Sequence, residues 1–258
     1  MIKALILYAQ FFTRLPIPVE INNPGDQFKN NMQFFSIFGA LLGLLEGALF
    51  FVWAQIFPLW FAWVLFWIGD GLITGGFHLD ALADTADALF SSRRVDKMRA
   101  IMKDSRLGTM GSLALVYFYL IVIGAGLTII NHQPNVLAIT KLAIICVMLT
   151  KCGISLLFFH MHYAGKSGGL ASIWEGIKTW RLIVNQVIAL LLIGWLLGLS
   201  GIVSYAAVII VSVGYRHFFY KLFSGLTGDT VGCYAELSQA IFLLVYAGLQ
   251  LKCQGLFG

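Results

Sequence analysis

Charge is what this sequence has least of. Only 11% of its 258 residues are Asp, Glu, Lys or Arg, against about a quarter in an ordinary soluble domain. With 59% hydrophobic residues and a mean hydropathy of +0.86, the chain has too little polar surface for a water-soluble globule. It has no long basic tract, and nucleic acid is not an expected partner. Cysteine is equally sparse. The four thiols, Cys146, Cys152, Cys233 and Cys253, form no CxxC pair, so they read as small hydrophobes with no chemistry. No small-residue cleavage site follows the short apolar start, so no cleaved signal peptide is expected.

What is present is a series of oily runs. Spanning a bilayer takes about 20 mostly apolar residues. Seven segments meet or approach that length: Met32 to Phe57, Pro58 to Gly76, Gly111 to Ile130, Val136 to Phe159, Leu182 to Leu199, Ile202 to Phe219 and Leu237 to Phe257. The expectation is an all-α polytopic integral membrane protein of about seven transmembrane helices, within a range of six to eight. It forms a single catalytic domain over residues 1–258. Ile2 to Leu15 carries Lys3, Gln10 and Arg14 on one narrow stripe and reads as an interfacial helix, stopped by Pro16 and Pro18. Bases fall in alternate loops, while the intervening turns near Phe57, Asn131 to Asn135 and Ser200 have none. The positive-inside rule then puts the N-terminus and the base-rich loops in the cytoplasm, the chain residing in the cytoplasmic (inner) membrane.

Carboxylates, bases and glycines gather in one stretch, Gly75 to Gly111. Asp80, Asp84 and Asp87 recur at i, i+4 and i+7, which puts all three on one helical face. Like charges so spaced repel, and a divalent cation, Mg²⁺, would relieve them. Arg93, Arg94, Lys97, Arg99, Lys103 and Arg106 follow, with Asp104 among the last of them. Arg93 to Arg99 read as a cytoplasmic topology signal. Lys103 and Arg106 read as ligands of a diphosphate, because cation-holding acids beside phosphate-holding bases are the parts of phosphoryl transfer. Asp104 and His78 are reserves.

A second acidic block is Gly225 to Glu236. If the chain is helical after Gly228, Asp229 and Glu236 share a face seven residues apart, a second metal seat or, for Asp229, a general base. The competing reading makes Asp229 the N-cap of the last helix. Elsewhere Gly39, Gly43 and Gly47 form a small-residue seam with Glu46 beside it. Lys151 lies about 12 Å from the inner end of its span and either snorkels or binds an anion. Arg216 and Lys221 gather with His217 and Tyr220 at another inner end. The glycine-rich Tyr163 to Leu170 offers Lys166 to an anion. His160 and His162 read as interfacial.

Three blocks, GGFHLDALADTADALF, IMKDSRLGTMG and SGLTGDTVGCYAE, with weaker echoes in TRLPIP (Thr13 to Pro18), Gly39 and Gly43, and YAGKSGGL, resemble the cobalamin synthase family, the adenosylcobinamide-GDP ribazoletransferases. The resemblance runs end to end. It departs at Ala81 and Ala88, where glycine is usual, and at Gln239, where glutamate is usual. It implies that the ribose 3′-hydroxyl of α-ribazole or its 5′-phosphate attacks the cobinamide-linked phosphorus of adenosylcobinamide-GDP and releases GMP. The residues expected to serve are Asp80, Asp84, Asp87, Asp104 and Glu236 for Mg²⁺, and Asp229, Lys103, Arg106 and His78 for catalysis. Arg14, Lys151, Lys166, Arg216 and Lys221 are expected to bind substrate. The expected partners are these two substrates and the lipid bilayer, with a homo-oligomer left open. The rival readings are a CDP-alcohol phosphotransferase, an intramembrane prenyltransferase, or a cation-coupled transporter. A transporter would want its acids at the bilayer midplane, whereas these cluster at span ends.

Overall fold

The computed structural model describes residues 1–91, 94–104, 106–165 and 173–255, the last three without their side chains. Among the described residues ten α-helices run in order: α1 (Ile2–Phe12), α2 (Pro24–Asn30), α3 (Phe35–Ile56), α4 (Leu59–Thr74), α5 (Phe77–Leu89), α6 (Val95–Ile101), α7 (Thr109–His132), α8 (Val136–Leu157), α9 (Thr179–Phe223) and α10 (Gly228–Gly255). Among the described residues there is no strand, only an isolated bridge between Tyr163 and Leu226.

Five of these helices are long and apolar enough to cross a membrane, and α4 with α5 is a sixth candidate bent by 91°. The bend falls at Gly75 and Gly76, both at positive φ (67° and 66°), a conformation glycine adopts without a Cβ penalty. The seventh span is hidden inside α9. Gly198 has φ 65° and ψ −155°, and beyond it the Tyr205 hydroxyl donates to the Gln186 side chain. In a straight helix those residues would lie almost 30 Å apart, about 1.5 Å per residue. The arms 179–197 and 199–223 therefore fold back on each other, as the two separate apolar runs predict.

The Gly39, Gly43 and Gly47 seam does what its spacing predicts. A Cβ on Gly39 would stand 3.1 Å from the Met148 backbone, one on Gly47 would stand 2.6 Å from the Ile144 side chain, and one on Gly43 would run into the Ile144 carbonyl. α8 therefore lies directly on α3. Close backbone approach matters here because lipid supplies little drive for apolar helices to associate. A satisfied polar knot adds to it. Asn185 accepts from the Ser36 N–H (2.6 Å) and donates to Ser155 (2.7 Å), and Gln186 also donates to Ser155 (2.8 Å).

Two elements differ from the sequence expectation. The last span begins at Gly228, not Leu237, because its polar first turns are buried against α5 and not dissolved in lipid. α1 is more than an interfacial float. Ala4, Leu7, Tyr8 and Phe12 are buried, and the Tyr8 hydroxyl donates to the Phe28 carbonyl at 3.2 Å. Gln10 from its polar stripe donates to Ile17 (2.8 Å) and Val19 (2.7 Å) and pins the proline-rich segment behind it.

Candidate active site

Helices α5 and α10 cross where Gly232 meets Ala81, so closely that a Cβ on Gly232 would be 2.6 Å from that of Ala81. This crossing brings the two acidic blocks together. Asp80 from α5 and Asp229 from α10 line one cavity of about 680 Å³. Lys103 and Arg99 enter it from the α6 side, and Phe11, Phe77, Tyr163 and Trp174 give it an aromatic wall. Burial, with help from the charges of Asp229 and Glu175, raises Tyr163 above its ordinary value, so it stays a neutral hydrogen-bond donor.

The competing reading of Asp229 as a helix cap is replaced by another residue. Thr227 caps α10: its Oγ1 accepts from the Thr230 N–H (3.2 Å), while the Thr230 Oγ1 accepts from the Thr227 N–H (2.8 Å). Reciprocal capping of this kind satisfies the first-turn donors. Asp229 is thereby free to face the cavity.

The three aspartates of α5 do not act alike. Asp80 faces the cavity, and Asp84 lies within the charge fields of Asp80, Asp229 and Asp87. Asp87 points the other way. Its two oxygens accept from the Gly108 N–H (2.7 Å) and the Gly111 N–H (2.8 Å), clasping the first turn of α7, where unpaired donors and the helix dipole favour an anion. A Cβ on Gly108 would collide with that carboxylate, and one on Gly111 would lie 2.5 Å from it. The glycines of the RLGTMG block make room for Asp87. Among the described residues, no three His, Cys, Asp or Glu side chains are drawn together as a ready metal seat.

The bases divide as well. Lys103 lines the cavity and its charge reaches Asp229. Arg106 stands on the surface and chelates Asp104, with contacts of 3.0 Å from Nε and 2.5 Å from Nη2. That hydrogen-bonding holds the Asp104 carboxyl below its usual range. The sequence groups Arg99 with the topology residues, yet it is at the cavity, with Nη2 donating to the Phe223 carbonyl at 2.7 Å. Its i, i+4 spacing to Lys103 was the available signal. The aromatic wall had none, since its members come from three distant segments: α1, α5 and the connection between α8 and α9.

Other residues singled out from sequence lie around or away from this cavity. His78 is buried beneath it against Phe12 and Phe77. Arg14 packs across Gly75, and its N–H donates to Ile73 at 2.7 Å. Arg216 is fixed on the Phe159 and His160 carbonyls and, with His217 and Tyr220, borders a separate groove. Lys221 is exposed. Lys166 and Arg93 lie outside the described residues.

Lys151 and Glu236 depart most from expectation. Lys151 does not snorkel: it is 1% exposed, its Nζ donates to Thr150 (3.0 Å) and lies 4.5 Å from the centre of the Phe12 ring. Its charge is shared with Asp70, Glu46 and Glu236, all buried. Glu236 is therefore not a second carboxylate beside Asp229. Two helical turns carry it about 10 Å deeper along α10, into a cluster formed by α3, α4, α8 and α10.

Residues 4–247 match the family model described as cobalamin-5-phosphate synthase. An adenosylcobinamide-GDP ribazoletransferase of Listeria monocytogenes serotype 4b is 39% identical over 241 residues, covering 93% of this chain and 96% of that one. Proteins of the same name from Clostridium novyi (34% over 247 residues, 94% and 95% covered) and Klebsiella pneumoniae (33% over 252 residues, 95% and 99% covered) are also similar. No solved structure matches the chain.

Proposed function

This chain belongs to the cobalamin-5-phosphate synthase family, and we propose that the cavity between α5 and α10 is where it joins the nucleotide loop of cobalamin. The reaction moves the adenosylcobinamide phosphate moiety of adenosylcobinamide-GDP onto α-ribazole or α-ribazole 5′-phosphate and releases GMP. The observation that carries the assignment is the meeting of Asp80 and Asp229, from blocks far apart in sequence, with Lys103 in one cavity that also has an aromatic wall.

Each feature of the cavity has a use in this chemistry. The flat bases of either substrate can lie against Phe11, Phe77, Tyr163 and Trp174, which also thin the water around the phosphates. Lys103 neutralises charge on the diphosphate. Asp229 accepts the proton of the ribose 3′-hydroxyl as that oxygen attacks the cobinamide-linked phosphorus, and the bond to the GMP oxygen breaks. Positioning and charge neutralisation supply most of the rate in such transfers.

The crowded carboxylates suit Mg²⁺, which binds through one or two carboxylates together with substrate phosphate oxygens and water and so needs no three-ligand protein seat. Asp80 and Asp84 would hold it, which leaves Asp229 as the base, while Asp87 is engaged with the α7 backbone. When bound, Mg²⁺ supplies charge stabilisation to the phosphoryl oxygens. The bias of bases toward one side supports a cytoplasmic-membrane protein with its N-terminus and this cavity facing the cytoplasm. Purified protein in lipid nanodiscs, given adenosylcobinamide-GDP, α-ribazole 5′-phosphate and Mg²⁺, is expected to release GMP and to stop when EDTA is added. GMP release that EDTA leaves untouched would remove the metal from the proposal.

A further inference from the structure

A second groove, sharing no lining residue with the transfer cavity, opens where the end of α8 meets both arms of α9 and holds about 630 Å³. That is within the size range of small-molecule sites, about 300–1,000 Å³. It is apolar along its walls and basic at one end. Phe159, Ile209 and Val213 are among its walls, and Arg216, His217 and Tyr220 form its mouth. Ile209 to Tyr220 covers about 16 Å of α9, at 1.5 Å per residue, so the groove runs with the span and not across it. The two other polar residues that line it are already satisfied: Gln186 accepts from Tyr205 and donates to Ser155 (2.8 Å), and Ser212 donates to the Ile209 carbonyl (2.7 Å). Away from the mouth an occupant is therefore apolar. Arg216 is held in place by uncharged partners. Its Nη1 donates to the Phe159 carbonyl and its Nη2 to the His160 carbonyl (2.8 Å), and the guanidinium lies 4.8 Å from the centre of the Tyr220 ring. Among the described residues neither Arg216 nor the exposed Lys221 forms an ion pair. The dipole of α9 favours bases in its final turn, but Arg216 lies seven residues before its end at Phe223.

From this arrangement we propose that the groove binds one anionic phospholipid, with its phosphate against Arg216 and Lys221 and an acyl chain along Ile209 and Val213. The two ends of the groove together select the occupant. A soluble anion would match the mouth and leave the apolar walls uncovered, and a neutral apolar molecule would cover the walls and leave two cations unmatched. A lipid with a negative headgroup satisfies both, and its long axis follows the span as the groove does. The mouth also lies on the base-rich side of the bundle, where the sequence puts the cytoplasmic surface. Basic pockets between spans on that side hold acidic headgroups in this way. Arg216 and Lys221, expected from sequence to bind substrate, are thereby assigned to the membrane. Because the groove and the cavity of Asp80 and Asp229 have no residue in common, lipid and substrates do not compete.

The test is native mass spectrometry of the full-length protein in detergent, titrated with phosphatidylglycerol and with phosphatidylcholine of the same acyl chains. Wild type is expected to bind the first phosphatidylglycerol about 10- to 30-fold more tightly than the first phosphatidylcholine, at about fivefold per base. Arg216→Gln with Lys221→Gln should bring that preference to within about threefold. Lys178→Gln removes another exposed base, one that does not line the groove, and should change the preference less than about twofold. Val213→Trp fills the groove without altering charge, at a position exposed enough to take the ring, and should weaken phosphatidylglycerol binding about tenfold or more. Arg216 also ties down two carbonyls, so a thermal melt checks each variant. Should the double variant not fold, Lys221→Gln, with an expected loss of about fivefold, and Val213→Trp decide the matter. Wild type that binds the two lipids alike overturns the proposal. So does a Lys178→Gln loss equal to that of Lys221→Gln, as diffuse attraction would give, or unchanged binding by Val213→Trp. Displacement of phosphatidylglycerol by adenosylcobinamide-GDP, one for one, would give the groove to the substrate and overturn it too.

Discussion

Asp84 and Asp87 are three residues apart on one helix, and their surroundings give them opposite roles. Asp87 makes two charge-assisted bonds to the start of α7, each worth about 1.5–3 kcal/mol. Asp87→Ala is therefore expected to destabilise the protein by about 2–4 kcal/mol, seen as a lower melting temperature in detergent. Gly111→Ala, which would press a methyl onto that carboxylate, should act in the same direction. Asp84→Asn relieves like-charge repulsion and is expected to leave melting unchanged or raised while GMP release falls at least about 100-fold. A melting temperature for Asp87→Ala equal to wild type would contradict the clasp. The bases give a parallel pair. Lys103→Ala should cost about 100-fold or more in turnover, whereas Arg106→Ala, which removes only a surface pair with Asp104, should stay within about threefold. The reverse order would place the diphosphate outside the cavity.

At the scale of elements, the apolar runs made most of the spans readable, and the gap near Ser200 foretold the fold-back that occurs at Gly198. The start of α10 was not readable in the same way. Gly228 to Glu236 carries two acids and two glycines, and only its burial against α5 explains a helix there. Spacing put Asp80, Asp84 and Asp87 on one face but could not show that the far end of that face meets α7. Glu46, Lys151 and Glu236 were visible as charges in oily segments, yet their association with Asp70 depends on how α3, α4, α8 and α10 pack. That cluster holds three acids and one lysine, so Lys151→Met, which removes the cation and leaves the acids, should cost about 3–5 kcal/mol. Glu46→Gln added to Lys151→Met is expected to restore part of the loss. A Lys151→Met protein with unchanged thermal stability would show that the acids do not depend on that lysine.

For the molecule as a whole, seven crossings would place the two termini on opposite sides of a membrane. Reporters fused at each end should give the N-terminus a cytoplasmic and the C-terminus an external signal, and matching signals would demand one span more or fewer. The central claim is that α5 and α10 together make a single transfer site. The most direct test is GMP release by wild type, Asp80→Asn, Asp229→Asn and the double variant, all in nanodiscs with adenosylcobinamide-GDP, α-ribazole 5′-phosphate and Mg²⁺. Residues that act as a unit are strongly non-additive. Each single variant is predicted to lose about 1,000-fold or more, with the double variant no worse than the weaker single. Near-normal release by either single variant, or losses that multiply in the double, would contradict one shared site.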